Sequence, residues 1–464
     1  MNSNVAKSKV ILNAIYLTFT NYGTLVFSFI VSFLIRIFLP PAVFGGISYV
    51  KGILSIFNQV IGIFPNVSMR EVAILNSKNQ FDNLKNHVST SLTVLLVLLG
   101  IQFICFIISA VISQNIYLKY AFITLGVANI FNQIANYKKW VLTASMVFKE
   151  IAIVKLFGGA LIAGFTLFCA YVFKETGYYI ALIIASLINF FFITRIFLKK
   201  KYQANIQFNT QTLKIIIKTG TSITIYGFII QSIRFLDRFY IEKYLGIEVL
   251  GIFSISYPII SMIQMFCESI INSYSPKIFA NSSVPSSQFI ENLKKLQKIV
   301  LLLSLIIISL SIVLLDPLLH FFLPQYVSAA IPIKIQLLGI VFINASLIQF
   351  NVLYGQNKIS SVLKYFALLF VTSNVLFIIG ANFELIGISM SLLVINIISY
   401  IIIVAKSSIS IQHFTYLGLV ISSLTLLTII SEINSIYAIP FCVTILFYSL
   451  WNLVYKQKII KINY

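Results

Sequence analysis

Charged residues are scarce in this sequence. Only 10% of its 464 residues are Asp, Glu, Lys or Arg, whereas 59% are hydrophobic, and the mean hydropathy is +0.98. Soluble globular proteins carry about 25% charged residues and about 45–50% apolar ones. The composition therefore excludes an ordinary soluble domain and predicts a chain that lies mostly in lipid.

Cysteine and histidine are also rare, and no metal-ligand spacing connects them. The four cysteines, single residues in separate predicted helices, are Cys105, Cys169, Cys267 and Cys442. The three histidines, scattered near predicted helix ends, are His87, His320 and His413. This pattern predicts neither a disulfide framework nor a metal site. With no P-loop and no paired carboxylates, we expect no cofactor and no catalytic site.

Acidic residues are few, and basic residues outnumber them. The chain has 12 Asp and Glu against 33 Lys and Arg, for a net charge of +21. No module of interleaved basic and aromatic residues is visible, so we expect the basic loops to face anionic lipid headgroups and not nucleic acid.

What the sequence has in abundance is long apolar runs. A membrane-spanning helix needs about 20 mostly apolar residues, and backbone in lipid must satisfy its own hydrogen bonds. The sequence predicts an all-α polytopic membrane protein of about 14 transmembrane helices. The segments are 13–35, 43–65, 88–112, 117–137, 151–173, 178–198, 219–241, 249–272, 299–320, 331–354, 363–380, 385–405, 415–431 and 436–455. The first is expected to be a retained span, since its apolar run continues and it has no small-residue cleavage site.

The distribution of basic residues predicts the orientation. With the N-terminus in the cytoplasm, 24 of the 33 Lys and Arg fall on the inside. Seven fall at the outside, namely Arg36, Lys119, Lys174, Arg234, Arg238, Lys243 and Lys334. Such an excess inside is typical of cytoplasmic loops. We therefore expect both termini in the cytoplasm.

An internal repeat divides the chain. Residues 35–56 align with 241–262, and QFDNLK at 80–85 aligns with QFIENLK at 288–294. The repeat predicts two six-helix halves of parallel orientation followed by two extra helices, with the substrate path between the halves. The corresponding ranges are 1–208, 209–411 and 412–464.

A cluster of charges, IRFLDRFYIEKYLG at 233–246, lies at the predicted outer end of the seventh helix. Arg234 and Arg238 are four residues apart on one helix face, and Asp237 is three residues after Arg234. The aligned residues of the first half are Ser28, Val31 and Ser32. Two interpretations are open: an Asp237–Arg234 ion pair near the interface, or a cationic wall for an anionic substrate.

Further polar residues lie within the predicted spans. Lys51 is deep in the second helix, and Lys155 is near the inner end of the fifth, where it can also snorkel to the cytoplasm. Glu268 and Asp237 are the acids clearly within spans and are candidates for ion coupling. Glu268 can equally snorkel to the inner face.

Two helices carry amide side chains along one face. The residues are Asn129, Asn132, Gln133 and Asn136 in the fourth helix, and Asn344 and Asn351 in the tenth. Amides match sugar hydroxyls and cations match phosphates, so these residues, with the lysines and arginines above, favour a sugar-phosphate headgroup. Hydrogen bonding between helices is the alternative.

The stretches FLDRFYIEKYLGIEVLGIFSISYPI (235–259) and LPPAVFGGIS (39–48) resemble bacterial polysaccharide and O-antigen flippases. These belong to the multidrug/oligosaccharidyl-lipid/polysaccharide export superfamily. The resemblance implies a V-shaped bundle that moves an undecaprenyl-pyrophosphate-linked oligosaccharide from the inner to the outer leaflet of the bacterial inner membrane. It also implies a polysaccharide polymerase and a chain-length regulator as partners, and no catalytic residue.

Two other functions remain open at this point. A drug or cation antiporter of the same superfamily would share the fold, although it would be expected to use buried acids where this chain has mainly basic residues. A membrane glycan polymerase or ligase would be an enzyme, and such proteins usually carry a large outside loop. Here the predicted outside connections scarcely exceed about ten residues, which favours a transporter.

Overall fold

The structure is a computed structural model. It describes residues 23–24, 27–77, 80–145, 147–199, 207–282, 285–356, 358–407, 414–433 and 435–451. All secondary structure within these ranges is helical.

The first half of the chain consists of long helices joined by short turns. They are α1 (Phe27–Phe38), α2 (Pro41–Ile61), α3 (Ile63–Ser77), α4 (Phe81–Ile112), α5 (Ile116–Ala144), α6 (Phe148–Ile153) and α7 (Gly159–Lys199). A π-helical turn, Val154–Gly158, connects α6 to α7. Within α7 the backbone leaves helical geometry at Lys174, where φ is 52°. The residue thus separates the predicted fifth and sixth spans. Gly177 is required beyond it, because a Cβ there would overlap the carbonyl oxygen of Cys169.

The second half repeats this design and adds two helices. They are α8 (Thr210–Leu245), α9 (Ile247–Phe253), α10 (Ser256–Asn281), α11 (Ser287–Phe322), α12 (Ala330–Gly355), α13 (Ser360–Ala381), α14 (Glu384–Lys406), α15 (Phe414–Ile433) and α16 (Ser435–Trp451). A 3-10 helix, Pro324–Ala329, precedes α12.

Every one of the predicted spans overlaps a described helix, which confirms an all-α polytopic membrane protein. Eight helical stretches of the described chain are long and apolar enough to cross a bilayer. One of these, Phe148–Lys199, contains two predicted spans. Shorter apolar helices account for 27–38, 417–433 and 438–449. Positions 13–22 and 25–26 of the first predicted span and 452–455 of the last lie outside the described residues.

The turn after the first helix of each half is built by a different residue. Helix α2 begins after Pro40, whose extended backbone precedes Pro41 at the first helical position. Helix α9 begins 206 residues later in the chain, after Gly246, which has a φ of 92° that favours glycine. The geometry of the repeat is therefore retained although the turn chemistry has changed.

One helix is central in each half. Helix α5 packs against α2, α3, α4 and α7, and α12 packs against α10, α11, α14 and α15. Tyr137, Val141 and Leu142 of α5 are fully buried in the core of the first half. Ile348 and Val352 of α12 have the same role in the second. Because each of these helices contacts four others, its polar residues meet partners on several helices.

The chain forms two compact units that divide between Gln231 and Ser232, inside α8. Ile216, near the start of α8, is buried in the core of the first unit. The sequence repeat instead places a boundary after residue 208. The repeat is defined by sequence similarity, whereas the units are defined by packing. The two boundaries therefore need not fall at the same residue. The predicted boundary after residue 411 lies outside the described residues.

An ion-pair cluster within the second unit joins α15 to α11 and α12. Lys334 of α12 is only 2% exposed, and its ammonium lies 2.8 Å from a carboxylate oxygen of Asp316 in α11. The same ammonium contacts Glu432 in α15. A cavity of about 610 Å³ lies beside Asp316 and Glu432. Lys334, which the sequence assigns to an outside connection, thus lies in the second turn of α12 and pairs with acids of two other helices.

Candidate functional site

The charged residues at the end of α8 form a compact group with one aromatic residue of α10. Asp237 is 3% exposed, and its Oδ2 accepts a hydrogen bond of 2.9 Å from the hydroxyl of Tyr257. Its Oδ1 accepts a 2.7 Å hydrogen bond from the backbone N–H of Arg238. The guanidinium of Arg238 lies 4.1 Å from the centroid of the Tyr257 ring. A buried carboxylate is stable only with such partners, so this group fixes α8 against α10.

The arrangement differs from the expected Asp237–Arg234 ion pair. The cation that shares an aromatic partner with Asp237 is Arg238, because Tyr257 contacts both side chains. Arg234 itself is exposed, and Glu268 is half-buried. The physical reason is the presence of Tyr257, which supplies the hydrogen bond that the sequence analysis assigned to an arginine. The structure thus divides the cluster into a buried part, with Asp237, and an exposed part, with Arg234.

The first unit contains a related arginine that the sequence analysis missed. Arg36 of α1 is 4% exposed, and its guanidinium lies 4.4 Å from the centroid of the Phe44 ring in α2. Its Nη1 donates to the backbone oxygen and to the hydroxyl of Ser32, both at 2.7 Å. Each unit thus places an arginine over an aromatic ring of a following helix, Phe44 of α2 in the first unit and Tyr257 of α10 in the second.

The amide face of α5 lies mainly among other helices. The side chains of Asn129 and Asn58 exchange hydrogen bonds of 3.0 and 3.2 Å, and Asn129 also donates to Gln102 at 2.9 Å. Asn132 donates to Ser186 of α7 at 3.0 Å. Three helices, α2, α4 and α5, therefore meet at Asn129.

The other two predicted amides of α5 have local partners. Gln133 contacts Asn129 at 3.4 Å, one turn away on the same helix. Asn136 accepts a hydrogen bond of 2.9 Å from Lys139. Both side chains are half-buried, in contrast to the buried Asn129.

The second unit repeats this polar contact. Asn344 of α12 is fully buried and donates to Ser304 of α11 at 3.0 Å and to the sulfur of Cys267 of α10 at 3.3 Å. Asn351 donates to a backbone oxygen of its own helix at 2.8 Å and accepts from Ser275 at 3.4 Å. The corresponding helices of each half are thus connected through one asparagine. These contacts are those of the interhelical alternative, and they leave Asn132, Gln133, Asn136 and Asn351 more accessible than Asn129 and Asn344.

The two predicted lysines lie in different surroundings. Lys51 is exposed in the middle of α2. Lys155 is half-buried in the π-helical turn that precedes α7.

No cofactor site was expected, and the described residues contain no group of three His, Cys, Asp or Glu arranged to hold a metal ion. The described cysteines are unpaired with one another.

Comparison with protein families gives one match. The family described as "Polysaccharide biosynthesis protein" matches residues 33–332, which is well over half of the chain. Among curated proteins, none matches this sequence.

Several solved structures share the fold at low sequence identity. An inward-facing multidrug resistance MATE transporter of the MOP superfamily superposes with a TM-score of 0.65 at 13% identity, over 85% of this chain and 94% of that one. The lipid II flippase MurJ, in an inward closed conformation, gives 0.64 at 13% identity, over 97% and 100%. A MOP superfamily transporter from Pyrococcus furiosus gives 0.55 at 13% identity, over 89% and 96%. The fold is that of this superfamily, and by the extent of its family match the chain belongs to the polysaccharide biosynthesis protein family.

Proposed function

We propose that this protein transports a lipid-linked oligosaccharide, carried on undecaprenyl pyrophosphate, from the inner to the outer leaflet by alternating access. The observation that carries the proposal is the match to a polysaccharide biosynthesis family in a chain with a flippase-like fold. The surface polysaccharide it serves is an O-antigen or another repeat-unit glycan.

The charges at depth support an anionic headgroup. Arg234 is exposed near the predicted outer end of α8, and Lys51 is exposed in the middle of α2. A cation about 4 Å from a phosphate contributes up to about 4 kcal/mol at an effective dielectric of 20, before desolvation. We assign to each of these two side chains, within its own unit, a role as a cationic contact for the diphosphate.

The accessible amides and the acids have secondary roles in this proposal. Asn132, Gln133, Asn136 and Asn351 are half-buried and provide donors and acceptors for sugar hydroxyls. Glu268 is the candidate for a coupling proton, because it is half-buried and lies in the field of Arg234. Asp237 is a weaker candidate, since Tyr257 and Arg238 already engage it.

Cation antiport is the rival function, and one observation favours it: Asp237 is a buried carboxyl within a helix of the bundle. Its partners argue against that role, because a cationic drug would have to compete with Arg238 for the same carboxylate. We place the protein in the bacterial inner membrane with both termini in the cytoplasm, beside a polymerase and a chain-length regulator.

A genetic experiment tests the proposal. Deleting the gene is expected to abolish surface glycan and to leave lipid-linked repeat units at the inner leaflet. Complementation with Lys51→Gln is expected to restore membrane abundance but only part of the export. Normal surface glycan in the deletion strain would contradict the proposed function, and full export by Lys51→Gln would contradict the role of Lys51 alone.

A further inference from the structure

Two lysines of the second unit contact the ring of one tyrosine at the predicted inner end of α13 and α14. Lys364 and Tyr365 lie in the second turn of α13, and Lys406 is the last residue of α14. The ammonium of Lys406 lies 4.4 Å from the centroid of the Tyr365 ring, and that of Lys364 lies 5.0 Å from it. The two ammonium groups are therefore no farther apart than the sum of these distances. We call the three residues the lysine–tyrosine cluster.

The tyrosine ring determines where the two cations lie. Both ammonium groups are within the distance of about 6 Å at which an aromatic ring attracts a cation. Lys364 belongs to the same helix as the ring, whereas Lys406 belongs to α14, which packs against α13. The packing of these two helices thus brings together two cations that are distant in the sequence.

The charge of the cluster is not balanced by an acid of the described chain. Among the residues that the structure describes, no carboxylate lies within ion-pair distance of either lysine. The helix dipole accounts for Lys406, since a cation is favourable in the last turn of α14, but not for Lys364, which lies near the start of α13. Two neighbouring cations of this kind produce a positive local potential that attracts an anion.

Lys364 lies at the end of an exposed apolar face of α13. Leu368, Val371 and Val375 follow it at helical spacing, and their exposed fractions are 61%, 60% and 54%. Residues at i, i+4, i+7 and i+11 share one face of a helix. The helix, Ser360–Ala381, is long and apolar enough to span a bilayer. Because such a face suits acyl chains, we infer that Lys364 lies where the acyl chains of a leaflet end and the headgroups begin.

We propose that the lysine–tyrosine cluster binds the headgroup phosphate of an anionic phospholipid in the inner leaflet. The two ammonium groups contact the phosphate, the ring of Tyr365 holds them in place, and the acyl chains lie along the exposed apolar face of α13. Basic residues beside a membrane attract anionic lipids. The apolar face favours a lipid over a soluble anion, because a soluble anion has no chains to place there. This inference is independent of the proposed function, since it concerns a lipid of the bilayer and not the transported glycan.

The test titrates the full-length protein, in a neutral detergent, with phosphatidylglycerol or phosphatidylcholine and counts the bound lipid by native mass spectrometry. The unmodified protein is expected to bind phosphatidylglycerol more tightly, because only that headgroup has a net negative charge. Lys364→Gln and Lys406→Gln are each expected to weaken phosphatidylglycerol binding by about fivefold, the contribution of one lysine beside an anionic lipid. Lys358→Gln is the matched control and is expected to bind as the unmodified protein does. It removes the same charge from an exposed lysine at the same end of α13, outside the cluster.

Two substitutions of Tyr365 test its part as a positioning residue. Tyr365→Phe keeps the ring and is expected to retain phosphatidylglycerol binding, whereas Tyr365→Leu removes the ring and is expected to weaken binding by a similar factor. A melting curve of each variant without added lipid shows whether it is folded. All variants are expected to melt near the temperature of the unmodified protein, because Lys364 is exposed and the other two side chains are half-buried.

A further arm uses the unmodified protein alone. A photoactivatable phosphatidylglycerol is expected to crosslink within residues 358–371 or 401–407, and crosslinking only elsewhere would overturn the proposal. Equal binding of the two lipids, or equal losses in Lys358→Gln and Lys364→Gln, would also overturn it, because either result describes a diffuse basic surface. Displacement of phosphatidylglycerol by an equal concentration of inorganic phosphate would refute the lipid assignment in favour of a soluble anion.

Discussion

The hydroxyl of Tyr257 donates a hydrogen bond to the buried carboxylate of Asp237, and 2.9 Å separate the two oxygens. The same ring carries the guanidinium of Arg238 at 4.1 Å from its centroid. One aromatic residue of α10 therefore contacts both members of an oppositely charged pair on α8. This relationship distinguishes the buried Asp237 and its partner Arg238, which join α8 to α10, from the exposed Arg234, for which a substrate role is proposed.

The first prediction concerns paired substitutions at Asp237 and Arg238. Arg238→Gln leaves a buried carboxylate without its cation, and we expect a loss of about 3–5 kcal/mol in stability. Asp237→Asn in the same chain is expected to recover most of that loss, because no unpaired buried charge remains. Unfolding of the purified single and double variants measures the coupling. Additive losses would show that the two residues do not act as a pair.

Arg234 provides the control for that experiment. It is exposed, so Arg234→Gln is expected to leave unfolding nearly unchanged while reducing glycan transport. A variant with normal transport would remove Arg234 from the substrate path.

The second prediction concerns Glu268. If this half-buried carboxyl carries a coupling proton, Glu268→Gln is expected to bind substrate normally and to lose the stimulation of transport by a pH gradient. Glu291→Gln is the comparison, because Glu291 is an exposed acid that pairs with Lys295 on the surface of α11. Gradient-stimulated transport by Glu268→Gln would exclude the coupling role.

The third prediction concerns the ion-pair cluster of Lys334, Asp316 and Glu432. Lys334→Gln leaves two acids facing one another, and we expect a loss of about 1–3 kcal/mol, since both acids are partly exposed. Lys295→Gln breaks an exposed pair of the same 2.8 Å length and is expected to cost little. Thermal unfolding compares the two. Crosslinking between α11 and α15 should also decrease in Lys334→Gln, and unchanged crosslinking would contradict the anchoring role.

The fourth prediction concerns the buried asparagines. Asn129→Ala and Asn344→Ala each remove the residue at which three helices meet, and interhelical hydrogen bonds in membranes contribute about 1–2 kcal/mol. We expect reduced abundance but normal transport per folded molecule. Asn382→Ala, at an exposed amide that contacts only its own helix, is the control. Reduced transport per folded molecule in either buried variant would instead favour a place in the substrate path.

The helices could be predicted from the sequence because their signals are local. Hydropathy over about 20 residues locates a span. The turn between α8 and α9 is marked by one residue, Gly246, whose positive φ favours glycine. Even the break inside the long α7 falls between two predicted spans, at Lys174.

The partners of the charged residues could not be predicted in this way. Lys334 meets Glu432 across 98 positions, and Tyr257 lies 20 positions after Asp237 in a different helix. The i to i+3 spacing correctly places Arg234 and Asp237 near each other on the helix surface. It cannot indicate that the hydroxyl of Tyr257 in α10 donates a hydrogen bond to the Asp237 carboxylate. The contact between Arg36 and the Phe44 ring was not predicted, because the orientation of that ring is set by packing.

Transport of a labelled lipid in a defined membrane is the direct test of the proposed flippase activity. The purified protein would be placed in liposomes with a fluorescent sugar linked to undecaprenyl diphosphate. The fraction of this lipid in the outer leaflet would be measured over time by adding a fluorescence quencher to the outside. The account predicts that the folded protein moves this lipid between leaflets, and that Arg234→Gln does so more slowly. Movement no faster than in protein-free liposomes, from a protein that unfolds normally on heating, would contradict it.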